Sequence, residues 1–351
     1  MTINTNNLTK TVGQLTKSLT ARNKDIISRR FGLKTGKKET LESIGKSYGI
    51  TRERVRQIEE FSVAQLSKSV KDEPALTQFV SIAKDVISSN HGVIKESDLF
   101  KSLTGSDKEN VANSSLVFLL TLAGEPVRFY ENDSFHSFWS VDSNHTNNFK
   151  SSVASLVKAL SKNEELIHKD NFLIFATTAG FSAPNGVNLN HDNLHALLSI
   201  SKEVGKNVFN EVGLASWSEI KPKGVRDKAY LVLKREGKPL HFSDISKSIN
   251  TAGFSDKKAN VQTVHNELIK DSRFVLVGRG MYSLAEWGYK PGTVKDVLLD
   301  VLKSVAKPLS KEEIVNRVMA VRMVKENTIL LNLQDSKLFA KKADGTYGLK
   351  K

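Results

Sequence analysis

The stretch TLESIGKSYGITRERVRQIEE, Thr40 to Glu60, decides the fold that we predict for the N-terminal part of the chain. Thr40 is suited to cap a short helix, because its hydroxyl can accept a hydrogen bond from a free backbone N–H. Gly49 can adopt the positive φ that ends this helix. Thr51 then caps a second helix. Two short helices joined by a glycine turn form a helix-turn-helix.

The second helix of this motif has two chemically different faces. The spacing of its apolar residues predicts inward positions at Val55, Ile58 and either Ser62 or Phe61. Successive helical residues turn by about 100°, which places a polar set on the opposite face. That set comprises Glu53, Arg56, Gln57 and Glu60, with Arg52 on its flank.

The polar set has the chemistry that reads base edges in a DNA major groove. Arginine pairs with guanine, glutamine with adenine, and glutamate accepts a hydrogen bond from the amino group of cytosine. Glu53 would repel phosphates, so its presence favours base readout over purely electrostatic binding. A solvated face on an ordinary surface helix is the alternative interpretation. The residues predicted to contact DNA are Thr51, Arg52, Glu53, Arg54, Arg56, Gln57 and Glu60, with Lys37 and Lys38 in the preceding loop and Arg279 and Lys325 further along the chain.

The run LTARNKDIISRRFGL, Leu19 to Leu33, followed by TLESIGKSYGITRERVRQIE, resembles region 4 of the sigma-70 family of bacterial RNA polymerase factors. The resemblance implies recognition of the promoter −35 element, and it implies docking on the flap of the polymerase β subunit as an open possibility. It places base-reading and phosphate-reading roles on Arg52, Glu53, Arg56 and Gln57. Nothing else in the chain resembles the aromatic-rich sigma region that melts the −10 element. We therefore expect a reading module without the rest of an initiation factor.

Charge is segregated along the 351 residues, whose net charge is +14. Residues 1–72 carry 15 Lys+Arg and 7 Asp+Glu, residues 73–220 carry 11 and 17, and residues 221–351 carry 26 and 14. The net charges are therefore +8, −6 and +12. Two basic ends are candidate polyanion binders, whereas the acidic middle is more suited to a protein partner. Charge that serves solubility alone would explain the total but not the segregation.

Beyond Pro74 the sequence repeats one pattern four times: helices followed by two strand-like runs around a turn. We expect the closing strands at Phe135–Val141, Gly213–Ile220, Gly280–Trp287 and Gly345–Lys351. Three helices and a β-hairpin are the winged-helix pattern. The third repeat, RDKAYLVLKREGKPLHFSDIS through RFVLVGRGMYSL, resembles the HARE-HTH domain shared by the δ subunit of bacterial RNA polymerase, certain chromatin proteins and restriction enzymes. This resemblance implies a DNA-associated or polymerase-associated module without catalytic residues.

The predicted fold class is mainly α with small β-hairpins, an N-terminal helix-turn-helix followed by tandem winged helices. The predicted domains are the N-terminal module at 1–72, a first winged-helix module at 74–141, a degenerate second at 146–220, a HARE-HTH third at 222–287 and a fourth at 291–351.

Composition and motifs point away from secretion, membranes and enzymes. The chain has no cysteine, no apolar run near the ~18 residues that span a membrane, and no apolar leader at its polar start. We therefore expect a cytoplasmic, nucleoid-associated protein. Phosphate-loop, dinucleotide and nucleophile-elbow motifs are absent. His191 and His195 stand four apart, but the residue after the first is Asp192 and no third ligand is evident. We predict no catalytic residue, no metal and no cofactor.

The function predicted from the sequence is a non-enzymatic transcription regulator that binds double-stranded DNA. The N-terminal module would read promoter-like DNA in the major groove, while the basic C-terminal winged helices add backbone contacts. The alternative is a protein-interaction subunit bound to RNA polymerase, δ-like or sigma-like. A specificity module of a restriction or modification system is a third interpretation.

Overall fold

The computed structural model of the chain describes residues 3–70, 73–289, 291–305 and 307–350. The chain divides into two compact units, Met1–Gly205 with Val212–Ala215, and Lys206–Glu211 with Ser216–Lys351. The predicted fold class is confirmed, because helices dominate and the sheets are small. Within the described ranges, no helix is long and apolar enough to cross a membrane.

The first compact unit contains ten α-helices and six short strands among its described residues. The helices are α1 (Thr5–Leu15), α2 (Ala21–Phe31), α3 (Leu41–Tyr48), α4 (Arg52–Ser69), α5 (Pro74–Ser89), α6 (Glu96–Thr104), α7 (Val111–Ala123), α8 (Ser143–Asn163), α9 (Lys169–Thr178) and α10 (His191–Leu198). The strands are β1 (Val93–Lys95), β2 (Val127–Phe129), β3 (Phe138–Ser140), β4 (Ile167–His168), β5 (Val204–Lys206) and β6 (Glu211–Leu214). They form two sheets, with strand orders β1-β3-β2 and β4-β6-β5.

The second compact unit repeats this pattern twice. Its helices are α11 (Val225–Glu236), α12 (Phe242–Ala252), α13 (Val261–Lys270), α14 (Val294–Val305), α15 (Lys311–Val321) and α16 (Glu326–Leu333). Its strands are β7 (Leu240–His241), β8 (Phe274–Gly278), β9 (Met281–Leu284), β10 (Phe339–Lys341) and β11 (Tyr347–Leu349). Strands β7, β9 and β8 form one sheet in that order, and β10 pairs with β11.

Local hydrogen bonds set the geometry of the helix-turn-helix. The backbone N–H of Ser43 donates to the Thr40 hydroxyl over 3.1 Å, which caps α3. Gly49 ends α3 with φ +64°, as predicted. The turn is tight because a Cβ on Gly45 would lie 2.7 Å from the Ile50 carbonyl oxygen. Helices α2, α3 and α4 enclose a small core of three fully buried side chains, Ile26, Ile44 and Val55.

A second, larger core joins the N-terminal module to the first winged-helix module. Its central element is α7, in which every residue from Asn113 to Leu120 is buried. The Phe31 ring of α2 meets the Phe118 ring of α7 edge to face, with centroids 4.9 Å apart. Leu66 of α4 belongs to the same cluster and is fully buried. The two modules therefore share one hydrophobic core, which the sequence did not predict.

Two expectations about individual side chains and strands are resolved by the structure. Ser62 is buried on α4, whereas Phe61 is 65% exposed, so Ser62 is the inward residue. The strand expected at Gly213–Ile220 is wrong, because β6 ends at Leu214. Beyond it the backbone turns, and the Trp217 carbonyl accepts hydrogen bonds from the N–H groups of residues 220 and 221.

Each winged-helix module in the second compact unit has its own core. Leu233, Ile245 and Val264 are buried in the third module, and Leu298 and Ile314 are buried in the fourth. These cores fix which residues of α13 and α16 remain at the surface.

Candidate nucleic-acid interface

Helix α4 presents a polar face because its opposite side is anchored in protein. The Arg54 backbone N–H donates to the Thr51 hydroxyl over 3.2 Å, so Thr51 acts as the N-cap. Val55 is fully buried, and Ser62 and Leu66 lie on the same side of the helix. The residues predicted to face DNA are all exposed, and they are Thr51, Arg52, Glu53, Arg54, Arg56, Gln57 and Glu60.

The guanidinium of Arg56 is engaged by two carboxylates on this face. It donates to Glu53 over 2.6 Å and to Glu60 one helical turn further along. The hydrogen bond from Arg56 lowers the pKa of the Glu53 carboxyl, and the two glutamates raise the pKa of Arg56. Arg56 must therefore exchange at least one glutamate for a base edge or a phosphate when it binds DNA.

A second pair on the same helix joins Arg54 and Gln57. The Arg54 guanidinium donates to the Gln57 side-chain oxygen over 3.0 Å, and both residues are exposed. The Gln57 amide nitrogen keeps its donor capacity for an adenine edge, which is the pairing that glutamine favours. The face therefore combines base-reading groups with charges that are already largely neutralised among themselves.

Lys37 and Lys38 lie in a loop that packs on the first winged-helix module. A Cβ on Gly36 would lie 2.7 Å from the Asn110 Cα, and the Ser114 hydroxyl donates to the Gly36 carbonyl over 3.3 Å. Both lysines keep exposed surface. Burial nevertheless lowers the pKa of the Lys38 ammonium, and the positive charge of Arg128 lowers it further. Their DNA contact stays a prediction.

The third helix of the first winged-helix module cannot enter a DNA groove. This helix is α7, and both of its faces are covered because Ser114, Ser115 and Phe118 are all buried. The neighbouring sheet carries a partly buried ion pair in which Arg128 donates to Glu96 over 2.6 Å and 2.7 Å. The module therefore contributes support to the N-terminal helix-turn-helix, and its third helix offers no reading surface.

In the second compact unit the predicted contact residues are both exposed. Arg279 stands in the turn between β8 and β9, next to Gly280, whose Cβ would lie 2.4 Å from the His241 imidazole. Only glycine fits there, because its φ is also +67°. Lys325 precedes α16 and makes no capping hydrogen bond with its side chain.

The sequence prediction missed the exposed amides of α13. Gln262 and Asn266 are exposed one turn apart, and the Gln262 amide donates to the Asn266 side-chain oxygen over 3.1 Å. Both residue types pair with adenine. The available signal was their i, i+4 spacing on a third helix whose apolar positions, Val264 and Leu268, fix the opposite face.

The histidine pair does not form a metal site in the described part of the chain. His191 and His195 are both exposed on α10. No group of three or more His, Cys, Asp or Glu side chains among the described residues is placed to hold a metal ion.

Two parts of the chain match known families. Residues 17–68 match the family described as "Sigma-70, region 4", and residues 225–287 match the HARE-HTH family, a helix-turn-helix domain whose description names ASXL and restriction endonucleases. Among similar proteins, RNA polymerase sigma factor SigA of a Bacillus species is 45% identical over 60 residues. That alignment covers 16% of this chain and 16% of the sigma factor, so it compares only a small part of each protein. Both resemblances stated from the sequence are confirmed.

Proposed function

We propose that this protein is a non-enzymatic regulator of transcription that binds specific double-stranded DNA sequences through α4. The observation that carries the proposal is the exposed face of α4, on which Arg56 and Gln57 stand opposite the fully buried Val55. The similarity of residues 17–68 to sigma-70 region 4 supports a promoter-like target. A DNA partner would place the protein at the bacterial nucleoid.

Basic residues in the second compact unit would add sequence-independent contacts. Residues 221–351 carry a net charge of +12, and Arg279 and Lys325 are exposed in a wing turn and before a third helix. Contacts from such side chains to phosphates strengthen binding and make it depend on salt, but they carry little sequence information.

The test is selection of bound duplexes from a random DNA pool, followed by affinity measurements with Arg56→Ala. If Arg56 reads a base edge, this variant should lose about 1–3 kcal/mol on the selected site and relax specificity at one base pair. Lys46→Ala is the matched control, because Lys46 is exposed on α3 and paired with Glu42 over 3.0 Å. An equal loss on all sequences would make Arg56 a phosphate contact. Failure of the unmodified protein to enrich any sequence would refute the proposal.

A second candidate is a subunit that binds RNA polymerase. The observation that favours it is the net charge of −6 on residues 73–220, which would be repelled by DNA. Capture of polymerase by the tagged full chain, without any shift of promoter fragments in gels, would support this candidate over DNA reading.

A further inference from the structure

The exposed surface of α4 consists of two stripes that run along the helix. One stripe is the ion-paired set of Glu53, Arg56 and Glu60. The other, roughly 100° around the helix, contains no carboxylate. Its members are Arg54, Gln57, Phe61 and Lys68, and all of them are exposed. Since phosphates repel carboxylates and attract cations, the second stripe is the one that can approach DNA closely along its whole length.

Phe61 is the unexpected member of this stripe. Its side chain is 65% exposed, although burial of a phenylalanine stabilises a protein by about 1.5–3 kcal/mol. Isolated exposed apolar residues are common on protein surfaces, so exposure alone indicates nothing. The informative feature is its position, because Phe61 lies about one turn beyond Gln57, some 6 Å along the axis and about 40° around it.

The position of Phe61 matches an apolar group that DNA displays in the major groove. Thymine exposes its C5 methyl there, and an apolar side chain is the contact that recognises it. A helix lying in the groove with Gln57 at one base edge would bring Phe61 over a base pair one or two steps away, because base pairs rise by about 3.4 Å. Lys68, further along the same stripe, would then be directed toward the phosphates.

We propose that Phe61 determines specificity by contacting a thymine C5 methyl beside the base pair that Gln57 reads. The inference rests on the proposed DNA reading by α4 and adds a base preference to it. Burial of one methyl group contributes about 0.8 kcal/mol, so we expect about a fourfold loss of affinity when the methyl is removed.

The first experiment compares sequences that the full-length protein and three variants select from a random pool of DNA duplexes. Phe61→Ala should lose a thymine preference at one position, Phe61→Leu should keep it, and Gln57→Ala should lose the preference at an adjacent position. Ile174→Ala is the matched control, because Ile174 is 69% exposed on α9 of the same compact unit. Thermal unfolding should be the same for Phe61→Ala and the unmodified protein, since an exposed ring contributes little to stability.

The second experiment replaces the selected thymine with deoxyuridine, which lacks only the C5 methyl. The unmodified protein and Phe61→Leu should bind the deoxyuridine site about fourfold more weakly, while Phe61→Ala should not distinguish the two duplexes. Equal discrimination by Phe61→Ala and the unmodified protein would overturn the inference and leave the proposed function intact. So would selected sites that hold no thymine dependent on Phe61. If the unmodified protein enriched no sequence at all, both proposals would fail together.

Discussion

Replacement of Phe118 by alanine should loosen two modules at once, because this ring fills the core that they share. Phe118 is fully buried on α7 and packs edge to face on Phe31 of α2. Truncation of a buried phenylalanine to alanine costs about 3–5 kcal/mol, of which the aromatic pair accounts for about 0.5–1.5 kcal/mol. A loss of about 4 kcal/mol raises the population of the opened state by about three orders of magnitude.

Hydrogen exchange measured by mass spectrometry separates a shared core from two adjacent ones. In the Phe118→Ala variant, amides of α2 and α4 should lose protection together with those of α5 and α6. Phe172→Ala is the matched control, because Phe172 is buried in a different cluster of the same compact unit. It should leave the protection of α2 and α4 unchanged. Faster exchange confined to α5 and α6 in Phe118→Ala would refute the shared core.

Three further predictions concern stability, each measured by urea unfolding of the full chain. Gly36→Ala should destabilise by at least about 1–2 kcal/mol, since φ is +77° and its Cβ would meet the Asn110 backbone at 2.7 Å, whereas Gly13→Ala in open helix should stabilise by about 0.5–1 kcal/mol. Arg128→Ala should cost about 3–5 kcal/mol, because it leaves the partner carboxylate buried without its cation; a loss below about 1 kcal/mol would contradict this. Hydrogen bonds from an arginine lower the pKa of Asp271, so its contribution is complete above about pH 4 and is lost as pH falls through the folded-state pKa. Asp271→Asn should flatten that acid dependence.

The helix-turn-helix was predictable because its determinants are local. Hydroxyl caps at Thr40 and Thr51, a left-handed Gly49 and the spacing of buried residues all act within a few positions of the chain. The outward position of the base-reading residues follows from helical periodicity once Val55 is taken as inward. The sequence left Ser62 and Phe61 as alternatives, although the distance from Val55 to Ser62 is two full turns. That spacing places Ser62, and not Phe61, on the buried side.

The burial of α7 could not be placed from sequence, although a signal was present. The helix is apolar nearly all round, which is typical of a helix enclosed by protein. Periodicity shows that such a helix is buried but does not identify what covers it. The covering residues, among them Phe31 and Leu66, are distant in sequence and also serve a helix-turn-helix that looks complete by itself. The failed strand at Gly213–Ile220 has a different cause, because hydrogen bonds to the Trp217 carbonyl favour a turn that strand propensity alone does not reveal.

The distribution of free and paired charge suggests how affinity and specificity divide between parts of the chain. On α4, Arg56 is held by Glu53 and Glu60, so this face offers little net attraction to phosphates and must gain its energy from matched base edges. In the first winged-helix module the third helix is buried, and the surrounding sequence is acidic. The net charge of +12 on residues 221–351 is therefore the main source of sequence-independent attraction. It follows that salt should weaken binding chiefly through the C-terminal part, while the choice of sequence should depend on α4 and persist at ionic strengths where overall affinity has fallen.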